Sequence, residues 1–190
     1  MNTLVALCIG HSRKIQGHPE GGAVTHDGAT NEWNWNKGLA EEIAAWLHKH
    51  RVRSVIIDEY EGGSYGSAQR WLASHLRGLD VSLALELHFN SSDNAEAHGA
   101  EWLHWHSSTK GKRLADSMRD EMALTGLMHT RGSKPRSLAD RGAEFLRGTH
   151  CPAVICEPFF GSSFRDWPKA NREKSRLAIA MAEGVLEYLD

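Results

Sequence analysis

Short apolar runs alternate with segments of helical period along this chain, and that alternation leaves few architectures open. Leu4-Val5-Ala6-Leu7-Cys8-Ile9 reads as a buried strand stopped by Gly10, and a polar loop rich in Gly, Asn and His follows it through Asn31. From Glu32 to His50, the apolar residues Leu39, Ile43 and Leu47 recur every fourth position, the spacing of one helix face. Ser54 to Ile57 is a second β-branched run, and Ala68, Trp71, Leu72, His75 and Leu76 make Ser64 to Leu79 a helix. Val81 to Leu87 is a strand that delivers His88 at its end. Ala100 to His106 reads as a strand, Thr109 to Leu124 as a helix, and Phe145 to Arg147 as a short strand. Ala153-Val154-Ile155-Cys156 is a buried strand ending at Glu157, and Pro168 to Leu189 is a closing helix with Leu177, Met181 and Val185 on one face. Strands interleaved with helices predict an α/β fold: a single three-layer domain with a mixed, mostly parallel central sheet flanked by helices.

The chain's 190 residues hold one such core, and neither a repeat nor a linker divides them. One domain spanning residues 1–190 is expected, with no appended binding module. A formal charge of −2 supplies no basic field for nucleic acid or an anionic membrane. No apolar run approaches the roughly 20 residues that cross a bilayer. Met1 to Gly10 lacks the basic start of a signal peptide, so synthesis in the cytoplasm is expected. Cys8, Cys151 and Cys156 form no CxxC pair and are expected to be reduced and mostly buried. The 12 histidines stand out, and they raise the expectation of metal or acid–base chemistry.

In parallel α/β folds the chemistry gathers where strands end. His11, His88 and Glu157 each sit directly after a predicted strand, and Glu32 opens the first long helix, where the helix dipole favours a carboxylate. Two imidazoles and a carboxylate suit zinc with an open position for water, and a further carboxylate can then carry protons. Position alone leaves this choice open. His104 and His106 share a strand face as a rival pair; Glu20, Glu41 and Glu42 compete with Glu32; Glu86 competes with Glu157 as the base. Glu157 has the argument that a carboxylate after four buried apolar residues is pushed up in pKa by desolvation. Trp33, Trp35, Trp102 and Trp105 could present flat surfaces to a sugar or peptide, or serve as packing.

Four stretches, in order, resemble the zinc-dependent N-acetylmuramoyl-L-alanine amidases that cut bacterial cell walls. They are Ile9-Gly10-His11; Glu32-Trp33-Asn34-Trp35-Asn36; Glu86-Leu87-His88-Phe89-Asn90-Ser91; and Cys151 through Phe160, with Pro152-Ala153-Val154 leading to Glu157-Pro158-Phe159-Phe160. The resemblance implies that His11, Glu32 and His88 ligate Zn2+ and that Glu157 is the general base. It also implies peptidoglycan as substrate, cut at the amide between the muramic acid lactyl group and L-alanine. Asn90, Arg131 and Arg141 are candidate substrate contacts, the arginines for the acidic stem peptide. Where the family carries Asp-Pro before its Gly-His and a glycine pair after, this chain has Cys8-Ile9 and Ser12-Arg13. With no leader read at its start, the chain looks like a phage or prophage endolysin. It is expected to be monomeric, without membrane insertion, and to reach the wall after the membrane is permeabilised. The same chemistry would also serve a zinc carboxypeptidase or endopeptidase on the stem peptide, and a non-catalytic peptidoglycan-binding domain is the rival outside enzymes.

Overall fold

The first strand sets the layout. In β1 (Leu4–Ile9) every residue after Leu4 is buried, so both faces of the strand are covered and it must lie inside a sheet. The computed structural model describes residues 3–94 and 96–190; Met1 and Asn2, the first residues of the stretch read as leaderless, lie outside it. β1 pairs in parallel with β4 (Arg53–Ile57) on one side and with β5 (Leu83–Leu87) on the other. β5 continues in parallel to β8 (Ala153–Glu157). β6 (Ala100–Trp105) then runs antiparallel to β8, and β7 (Thr130–Arg136) runs parallel to β6. The order β4-β1-β5-β8-β6-β7 makes a six-stranded mixed sheet. A two-residue-arm hairpin, β2 (Lys14–Ile15) with β3 (His18–Pro19), stands apart from it.

Strand alternation divides the interior in two. Val5, Leu7, Ile9, Leu85, Leu87, Val154 and Cys156 point to one face, covered by α1 (Glu32–Lys49), α3 (Thr109–Thr125) and α6 (Lys174–Leu189). Ala6, Cys8, Ala84, Ala153 and Ile155 point to the other, covered by α2 (Tyr65–Gly78) and α4 (Ala143–Gly148). The helices start where local chemistry lets them. The Asn31 side chain caps Asn34 N–H at α1, Ser64 and Ser67 form a capping box at α2, and Ser108 caps Gly111 N–H at α3. Gly126, at φ 61°, ends α3 in a left-handed cap.

Three elements differ from the sequence reading. The expected strand at Phe145 to Arg147 is helix α4. Phe145 and Leu146 are adjacent, yet both pack into the same core cluster, which a strand's alternation forbids and a helix permits. The expected helix from Pro168 to Leu189 is two helices, α5 (Asp166–Arg172) and α6, broken at Glu173, where φ −103° and ψ 23° leave the helical range. β7 has no counterpart in the reading because Thr-Arg-Gly-Ser-Lys-Pro-Arg carries no apolar residue. Its place at the edge of the sheet explains both this polarity and the tolerance of Pro135.

Candidate metal centre

β1, β5 and β8 are parallel, so their C-terminal ends share one edge of the sheet and His11, His88 and Glu157 arrive together. Gly10 N–H still donates to Leu87 O at 2.9 Å, and the chain then turns at His11 with φ 60°. A left-handed backbone at a non-glycine residue is strained, and such strain concentrates at functional positions. Ser12 holds the turn, its buried hydroxyl donating to Ile9 O at 2.6 Å while accepting from Trp33 Nε1 at 3.0 Å.

Glu32, the first residue of α1, is 3% exposed. Its Oε1 accepts from Phe89 N–H at 3.2 Å and lies 2.7 Å from His88 Nδ1. Its Oε2 accepts from Ala23 N–H at 3.1 Å and lies 3.3 Å from His11 Nε2. The two imidazoles meet edge to face, with centroids 5.1 Å apart. One donor atom from each of His11, Glu32 and His88 lies within 4.8 Å of the others, and no second such group of three is found among the described residues. Two glycines make the room. A Cβ at Gly22 would stand 2.6 Å from the His11 ring and 2.7 Å from Glu32 Oε2, and one at Gly10 would stand 2.2 Å from the His88 ring.

Burial opposes the Glu32 charge, but hydrogen bonds from His11 and His88 outweigh it and bring the carboxyl down to about 2. Burial likewise opposes protonation of His88, yet Glu32 and Glu86 reverse the sign and raise it well above the ordinary imidazole value. Glu157 moves the other way. Burial, joined by the charges of Glu32 and Glu101 against those of His88 and Arg141, pushes it up to about 8. Its Oε2 is buried with no hydrogen-bond partner among the described residues.

The rival residues have other places. His104 is 3% exposed with Nδ1 against Trp105 O, and His106 lies in the turn after β6. Glu20 pairs with Arg13 at 3.3 Å. Glu86, weighed as an alternative base, is 1% exposed behind His88, where it accepts from Gln69 Nε2 at 3.0 Å. Trp35 and Trp102 belong to the core. Asn90 Nδ2 donates to Glu101 Oε1 at 3.1 Å, and Arg131 Nε to Glu101 Oε2 at 2.8 Å, with the guanidinium 5.0 Å from the Phe160 ring centre. Arg141 is exposed, and its charge reaches Glu157. The reading missed Glu101 and Gly22, and it took Gly10 only as a strand stop and part of the Gly-His match. A lone carboxylate inside the apolar stretch Ala100 to Trp105 was the signal for Glu101. A groove of about 610 Å³ between α2 and α4 is lined by Arg70, Arg77 and Arg147 and contains none of the converging residues.

A layered α/β domain that brings two imidazoles, one buried carboxylate and one half-buried carboxylate to the C-terminal edge of its sheet has the build of a hydrolytic enzyme. The sequence profile of the N-acetylmuramoyl-L-alanine amidases (Amidase_3) matches residues 5–187, and the chain belongs to that family and to its enzyme class. The catalytic domain of CwlV, an N-acetylmuramoyl-L-alanine amidase from Bacillus (Paenibacillus) polymyxa var. colistinus, is 21% identical with a TM-score of 0.81, over 99% of this chain and 98% of that one. The N-acetylmuramoyl-L-alanine amidase of Clostridium difficile 630 is 22% identical with a TM-score of 0.82, over 100% and 98%. The catalytic domain of the CD27L endolysin targeting Clostridia difficile is 25% identical with a TM-score of 0.80, over 97% of both chains. No curated protein matched the sequence.

Proposed function

We propose that this chain is a single catalytic domain over residues 1–190 that hydrolyses the amide between the lactyl group of N-acetylmuramic acid and the L-alanine of the stem peptide. His11, Glu32 and His88 hold a zinc ion and Glu157 moves the proton. The observation that carries this reading is the convergence of three donors within 4.8 Å beside a buried carboxylate oxygen that no described residue satisfies. The donor set fits the group. Two neutral-capable nitrogens and one anionic oxygen match a catalytic zinc site, and Glu32 remains ionised through the range where such a site works. Zinc there supplies a polarised carbonyl and a water acidic enough to attack near neutral pH.

The protein's own groups do the rest. Glu157 takes the proton of the attacking water and passes it to the alanine nitrogen as the C–N bond breaks. A divalent cation beside it lowers its pKa, so a group held near 8 without metal becomes an ionised base with metal. Asn90 and Arg131, both gathered by Glu101, and the exposed Arg141 line the approach and meet the polar, acidic parts of the stem peptide. The similarity to an endolysin supports action on the wall of a bacterium from a phage or prophage origin.

Mass spectrometry of muropeptides from digested wall tests the reading. Released stem peptides beginning with L-alanine, together with glycans bearing free lactyl groups, are expected, and both are expected to vanish after chelation and return with zinc. Cleavage inside the stem peptide would make the chain a peptidase, and binding without cleavage would make it a wall-binding domain.

A further inference from the structure

His88 has two ring nitrogens with different surroundings. Nδ1 lies 2.7 Å from Glu32 Oε1 and belongs to the converging donors. Nε2 points the other way, 3.5 Å from Glu86 Oε2, within ion-pair reach. Glu86 precedes His88 by two positions on the same strand line, and two positions along a strand return to the same sheet face. Its second oxygen is fixed by Gln69 Nε2 of α2 at 3.0 Å, and the buried Tyr60 lies beside it, its phenol held protonated by burial and by the Glu86 charge. The imidazole also has little freedom to find another seat, because Cε1, Nδ1 and Nε2 all fall within 2.5 Å of where a Gly10 Cβ would stand. A fully buried carboxylate is costly unless something cationic or proton-donating answers it. Gln69 answers one oxygen, and His88 Nε2, 3.5 Å away, is placed to answer the other.

We propose that Glu86 is a positioning residue for the metal centre: it accepts the Nε2 proton of His88, holds that imidazole as the Nε2–H tautomer, and so presents Nδ1 to the metal. A metal-binding histidine is oriented by the partner of its other nitrogen, and a carboxylate in that place also makes the ligand more basic. The inference rests on the reading of His88 as a zinc ligand. It assigns Glu86 no contact with substrate, since the side chain is sealed between β5 and α2.

Two measurements test it. Long-range proton–nitrogen NMR of the zinc-loaded wild-type protein is expected to show His88 with its proton on Nε2 and zinc on Nδ1; the reverse assignment overturns the proposal and needs no variant. Zinc affinity, read by competition with a chromophoric chelator, is expected to fall about 10–100-fold in Glu86→Gln, a change that keeps the side chain's size. Affinity within twofold of wild type, or a lowered melting temperature with affinity and tautomer unmoved, makes Glu86 a structural residue only. If the wild-type protein binds no zinc, the ligand assignment itself fails and this inference with it. Zinc bound equally by wild type and Glu86→Gln removes only the role of Glu86.

Discussion

Glu101 and Glu157 face each other across β6 and β8 as register partners, and the protein treats them in opposite ways. Around Glu101 stand Lys134 at 2.6 Å, Arg131 at 2.8 Å and Asn90 at 3.1 Å. Burial works against its charge, but Lys134 and Arg131 prevail and hold the carboxyl below its ordinary value. One strand away, Glu157 has a buried oxygen without a partner and is raised to about 8. The cations of β7 are all drawn to the Glu101 side, and no described residue answers Glu157 Oε2. A satisfied carboxylate holds structure together; an unsatisfied one beside a metal position is available for chemistry. The comparison fits an architectural place for Glu101 and the proton-transfer role proposed for Glu157.

The sharpest way to break that division is Glu157→Gln, which keeps shape and removes the proton acceptor. Turnover is expected to fall by about 10²–10⁴, the usual worth of a positioned acid–base group, with zinc content unchanged by elemental analysis. Full activity in this variant would take Glu157 out of the mechanism.

Glu101→Gln should show the reverse pattern. It leaves Arg131 and Lys134 without their carboxylate, but their side chains are 35% and 33% exposed, so water screens much of the loss. A destabilisation of about 1–2 kcal/mol is expected, a drop in melting temperature of roughly 2–8 °C for a domain this size. Activity at a temperature where the variant is folded should follow only the change in Asn90 and Arg131. A fall in turnover as deep as that of Glu157→Gln, without loss of stability, would erase the distinction between the two carboxylates.

The last effect is on stability against pH in the metal-free protein. Unfolded, Glu157 ionises near its ordinary 4.5; folded, near 8. Between those values the folded state holds a proton that the unfolded state has lost, so this group's contribution is complete below about pH 4.5 and disappears as pH rises through 8. Glutamine cannot ionise. Metal-free Glu157→Gln is therefore expected to melt above wild type at pH 8, by up to about 4 kcal/mol in stability for a shift of this size, and equally at pH 4. Calorimetry on chelated samples measures both, and equal melting temperatures at pH 8 would show that Glu157 is better solvated than its surroundings imply.

The sequence by itself determined the strands of the core and what stands at their ends. β1, β5 and β8 are legible because a strand buried on both faces must be a continuous apolar run, and such a run is a local property of the chain. Reading outward from those runs reached His11, His88 and Glu157 directly. Glu32 needed the family resemblance, because the start of a helix does not by itself favour one carboxylate over Glu20. The tertiary structure decided how these groups are used. Glu86 looked like a possible base until the fold put Gln69 on one side of it and His88 on the other, from positions 17 and 2 residues away. Arg131 was read as a candidate contact for the acidic stem peptide, and only the fold shows that β7, an edge strand with no apolar signature, carries it to Glu101, 30 residues back in the chain. Periodicity records what each segment hides from water, whereas partnership between charges depends on which segments the sheet order makes neighbours. That order was set by crossovers that leave no mark in any one stretch of sequence.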